Sequence, residues 1–65
     1  MNTPEEMALF ELLPGGVPRT LEELVQLSGL GPAQVLLAVD RLSRSGDIIL
    51  RKDGMDYHVV RSEAA

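Results

Sequence analysis

At 65 residues the chain has room for one domain, and a domain that short buries only about 60% of the surface its unfolded chain exposes, which excludes a deep enclosed active site. It has no cysteine, so disulfides and thiolate metal sites are excluded, and 45% hydrophobic with 25% charged residues excludes a wholly disordered chain. The net charge of −4 argues against a strongly basic nucleic-acid surface, and it is uneven: Glu5, Glu6, Glu11, Glu22 and Glu23 stand against Arg19 alone, whereas acids and bases balance from residue 31 onward.

The first helix is predicted over residues 4–13. Thr3 lies three residues before Glu6 with Pro4 between them, a capping pattern with proline at the first helical position. Leu9, Phe10, Leu12 and Leu13 give its apolar face, and Pro14-Gly15-Gly16 stops it. Val17 or Pro18 offers a place for a short extra strand. A second capping box, Thr20-Leu21-Glu22-Glu23, opens a helix over 21–28 that Gly29 closes. Pro32 starts the third, over 32–45, with Val35, Ala38, Val39 and Leu42 on one side and Gly46 past its end. The period then changes from helical to alternating. Residues 47–52 and 57–61 read as two strands of a hairpin around Asp53-Gly54, with a loop longer than two residues because Met55 and Asp56 are poor strand formers. Ile48, Leu50, Tyr57 and Val59 are expected to pack on the helices, and residues 62–65 read as a tail. The predicted fold is mainly α (α+β), a winged helix-turn-helix of three helices followed by a two-stranded β-hairpin wing. The structural alternative is a plain three-helix bundle with a disordered tail.

Catalytic, cofactor-binding and metal-ligating residues are not expected. The one histidine, His58, has no second histidine or cysteine to work with, and a partly exposed strand position is its plain reading. Asp53, Gly54, Met55 and Asp56 lack the alternating oxygen ligands of a calcium loop. Apolar runs of four or five residues are far short of the ~18 that a membrane span requires. The first two charges, Glu5 and Glu6, do not make the basic start of a secretory signal, so a cytoplasmic protein is expected.

In a helix-turn-helix the second helix of the pair enters the major groove. Here its outward face carries Ala33, Leu37, Asp40, Arg41 and Arg44, bordered by Gln34 and Leu36. Gln34 suits adenine and either arginine suits guanine. Arg51 and Lys52 on the wing, with Arg61 further along, suit phosphates, and Arg19 lies beside the start of the second helix. Engaging four cations gives a salt slope of about −3.6, a weak monomeric interaction with double-stranded DNA. Specific operator binding would then call for a homodimer or a larger host protein. Leu36 and Leu37 on the same face, with Met55 at the hairpin tip, point instead to a protein partner or self-association.

The stretch Thr20-Leu21-Glu22-Glu23-Leu24, then Ser28-Gly29-Leu30-Gly31-Pro32-Ala33-Gln34-Val35, then Leu42, Gly46-Asp47-Ile48, Asp53-Gly54 and Tyr57, resembles bacterial winged helix-turn-helix domains. Through Pro32-Ala33-Gln34-Val35-Leu36-Leu37-Ala38-Val39 it looks most like the C-terminal winged-helix domain of the DNA-processing protein A (Smf) family. The broader resemblance implies DNA binding, usually in transcriptional control, through the third helix and the wing. The narrower one implies a module of a DNA-handling protein that serves in protein contacts.

Overall fold

In a computed structural model, residues 3–62 are described, as α1 (Pro4–Glu11), β1 (Arg19–Thr20), α2 (Leu21–Ser28), α3 (Pro32–Arg44), β2 (Ile48–Asp53) and β3 (Asp56–Arg61). Together they make an α+β fold of three helices and an antiparallel sheet with strand order β1-β3-β2.

The helix starts follow the caps. The Thr3 hydroxyl oxygen accepts from the Glu6 N–H at 3.2 Å, and that of Thr20 from the Glu23 N–H at 3.1 Å, while the Thr20 N–H donates back to Glu23 Oε1 at 3.0 Å. α1 ends two residues sooner than predicted. Leu12 and Leu13 close it as a tightened turn, with N–H groups bonded to the carbonyls of Leu9 and Phe10. Pro14 explains this, since it has no N–H to extend the ladder and its ring disfavours helical backbone at Leu13. α2 spans the predicted residues, and Gly29 past its end sits at φ +73°, in the left-handed region where a side chain is strained. α3 ends at Arg44, one residue short of its predicted end.

The sheet corrects three predictions. It has three strands rather than two, because Arg19 and Thr20 pair with Val59 and His58. The extra strand falls at residues 19–20 and not at Val17 or Pro18; proline has no N–H for a ladder, and Thr20 ends the strand by capping α2. The hairpin loop has only two residues, Gly54 and Met55, with Asp53 paired to Asp56 and the strands set at 48–53 and 56–61. Gly54 at φ +65° with a negative φ at Met55 gives a two-residue turn led by glycine, whose twist matches the strands.

Leu9, Leu13, Leu24, Val35, Ala38, Val39, Leu42, Ile48 and Val59 form the core. All four predicted inward residues of α3 are in it. Leu50 and Tyr57 are not: they share the helix-facing side of the sheet with Ile48 and Val59 but are 41% and 43% exposed. The hairpin runs past the helices before those positions are reached. Sequence patterning also missed a buried acid. Glu6 is 6% exposed, its Oε1 accepting from the Thr3 hydroxyl at 3.0 Å and lying 3.7 Å from Arg41 Nη1.

Candidate functional site

The six cations fall into two groups. Arg19 and Arg61 are turned inward. Register places Arg19 opposite Val59, and Arg61 two residues on lies on that same side of the sheet, facing the end of α1. Arg19 Nε donates to the Leu12 carbonyl at 2.7 Å, and Arg61 Nη2 to the Phe10 carbonyl, also at 2.7 Å. The Arg61 guanidinium also stacks 3.9 Å from the centre of the Phe10 ring. Two arginines on neighbouring strands thus meet carbonyls at the negative end of the α1 dipole, that of Phe10 also accepting from the Leu13 N–H. Their charge holds helix to sheet and is withdrawn from any outside ligand.

The N-terminus of α2 is also filled. Glu23 takes up the Thr20 N–H and lies 3.7 Å from Arg19. The Thr20 N–H is the main cause holding the Glu23 carboxyl below the ordinary glutamate range; the Thr20 hydroxyl, Arg19 and His58 add to it against some desolvation. A carboxyl that titrates lower folded than unfolded adds stability above its unfolded pKa and loses it as pH falls through its folded one. Glu23→Gln, which keeps a capping oxygen but not the charge, should therefore flatten the acid side of the stability profile. Thermal melts of both proteins from neutral pH down through the carboxylate range check this; parallel curves would count against it.

The outward side of α3 keeps few donors for base edges. Gln34 is exposed, but its Oε1 accepts from the Gly31 N–H at 2.9 Å, capping the helix. Arg41 pairs with the buried Glu6. Arg44 pairs with Asp40 at 3.2 Å, yet its side chain is 80% exposed, and such surface pairs contribute only about 0–1 kcal/mol, leaving the guanidinium free to exchange partners. Leu36 and Leu37 are each 53% exposed beside them. Leu37 also borders a shallow open depression of about 220 Å³ with Glu5 and Arg41.

On the wing, Arg51 and Lys52 are exposed, with no ion pair among the described residues, and Met55 at the tip is 94% exposed. His58, opposite Arg51, has its Nδ1 3.9 Å from Asp53 Oδ2. Of the six cations, Arg44, Arg51 and Lys52 thus remain available to an anionic ligand. That reduction was not visible in the sequence, because the partners of Arg19, Arg41 and Arg61 are distant in the chain or are backbone carbonyls.

Among the described residues, no helix is long and apolar enough to cross a membrane, and no group of three acidic, histidine or cysteine side chains is placed to hold a metal ion. No protein-family model, curated protein or solved structure matches this chain.

Proposed function

We propose that the chain is a winged helix-turn-helix module that holds duplex DNA weakly by its phosphates, without catalysis, in the cytoplasm. The element order supports the fold: helix, short strand, helix, three-residue turn, helix, then a hairpin whose second strand takes the short one as its neighbour. The observation that carries the DNA reading is the continued exposure of Arg44 at the end of α3 and of Arg51 and Lys52 on the wing. These cations fix position on a backbone rather than read bases, since Gln34 is engaged as a cap and Asp40 repels phosphate. Three phosphate contacts give a salt slope of about −2.7, so a tenfold rise in salt should weaken binding about 500-fold. Fluorescence anisotropy of a labelled duplex measures that slope. Arg51→Glu with Lys52→Glu should reduce it to about −0.9 while leaving the fold intact. A duplex affinity indifferent to both changes would remove the reading.

A second reading is favoured by Leu36 and Leu37, which place two half-exposed apolar side chains side by side on α3. In it a second copy covers that face. Sedimentation of the protein against Leu37→Glu decides it, with a shift from dimer to monomer as the expected result and identical monomers as the refutation.

A further inference from the structure

We infer that the outer edge of β2 is a docking strip for an extended acidic segment of a partner protein, which adds to the sheet as a fourth strand. The backbone geometry comes first. The Ser62 N–H donates to the Asp47 carbonyl at 3.0 Å, and Asp53 pairs with Asp56 across the two-residue turn. Hydrogen-bonded pairs alternate along an antiparallel ladder, so Ile49, Arg51 and Asp53 are the β2 residues that bond to β3. Ile48, Leu50 and Lys52 then direct their N–H and C=O groups the other way. β2 is the last strand in the order β1-β3-β2, so no strand of this sheet receives them. Ile48 is only 2% exposed, which leaves the groups of Leu50 and Lys52 open.

The side chains around those groups select the occupant. Leu50 and, across the ladder, Tyr57 lie half exposed on the helix-facing side and offer an apolar step to an added strand. Arg51 on one face and Lys52 on the other are cations without a carboxylate partner among the described residues, on a chain of net charge −4.

A second copy fits poorly. In the antiparallel register that uses the open groups of both residues, Leu50 meets Lys52 of the other copy, and Arg51 faces its own symmetry mate. A shift of the two-fold axis by one residue toward the turn sets Lys52 against Lys52; it brings Arg51 opposite Asp53 but puts Leu50 opposite the turn residue Gly54, whose φ of +65° is not that of a strand. Shifts the other way require the buried edge of Ile48. Like charges directly opposed across a strand pair are destabilising. An antiparallel strand that reads acidic, acidic, apolar from its N-terminus meets Lys52, Arg51 and Leu50 in turn with every pairing favourable. The cations that keep copies apart are those that would recruit such a segment.

The inference does not rest on the DNA reading, although both draw on Arg51 and Lys52, and its probes are peptides with duplex affinity as a control. The probes are labelled, proline-free peptides with a central Glu-Glu-Val flanked by threonines, and a control with Lys-Lys-Val. The first should bind saturably and slow exchange of the Leu50 and Lys52 amide protons, measured by NMR on the whole chain; the control should do neither. Leu50→Pro removes the outward N–H but none of the β2–β3 bonds, a placement edge strands tolerate. It should weaken the peptide about fivefold or more and leave duplex affinity unchanged. Arg51→Glu, which asks nothing of the backbone, should weaken the peptide about tenfold. Equal binding of the two peptides, shifts centred on Leu36 and Leu37, or slowed Leu50 and Lys52 amides in concentrated protein without peptide would each overturn the proposal, the last by assigning the edge to a second copy.

Discussion

Leu42→Ala is expected to leave most molecules unfolded at room temperature. Leu42 is fully buried, and its carbonyl accepts the Asp47 N–H at 3.0 Å just before β2 begins, so it sits where α3 hands over to the sheet. Truncating a buried leucine costs about 2–5 kcal/mol, since the transfer energy is lost and the surrounding structure closes the cavity only in part. A core of this size supplies about 3–5 kcal/mol net, without disulfides to supplement it. The loss is therefore comparable to the whole stability. Leu36→Ala, on the same helix but half exposed, should stay within about 0.5 kcal/mol of the parent. Circular dichroism of both variants during urea titration checks the contrast. Matching midpoints would mean that Leu42 is not part of the core.

The inward place of Leu42 was legible in the sequence, because a 3.6-residue period assigns an inside once a helix is granted, whereas Leu36 lies at the border between the two faces and its exposure was not. The caps were legible for a related reason. Threonine three residues before glutamate satisfies backbone donors locally, and the partners in α1 and α2 are those read from the sequence. The misses share a different cause. β1 is two residues long and has no local signal of its own; it exists because β3 presents a second edge to it. Leu50 and Tyr57 follow a strand pattern correctly but lie where no helix covers them, a matter of relative lengths rather than periodicity. Arg41 reads as a surface cation until α1 brings Glu6 against it. In the same way the candidate DNA-contacting set was legible as a list of cations, whereas its division into structural and available members depended on tertiary contacts.

Arg61 is one of those hidden contributions, and its removal should be nearly as telling as a core truncation. Its guanidinium joins two segments 51 residues apart, donating to the Phe10 carbonyl while stacked on the Phe10 ring. A hydrogen bond from a charged donor contributes about 1.5–3 kcal/mol and the cation–π contact about 0.5–1 kcal/mol. Arg61 Nε, however, is buried with no hydrogen-bond partner, and that desolvation opposes part of the gain. Arg61→Ala is thus expected to cost about 2 kcal/mol, which for a domain of this length lowers the melting temperature by about 8–16 °C. Arg61→Met discriminates between the contributions. It keeps an apolar stem on the Phe10 ring and abolishes the orphaned Nε along with the charge, so it should recover part of what alanine loses. Arg61→Lys should recover less than a conservative exchange suggests, because an ammonium cannot donate to the carbonyl while lying flat on the ring. If alanine melts with the parent, α1 is held to the sheet by its leucines and Arg19 without help from Arg61. Arg61 would then return, with Arg44, Arg51 and Lys52, to the cations available to DNA.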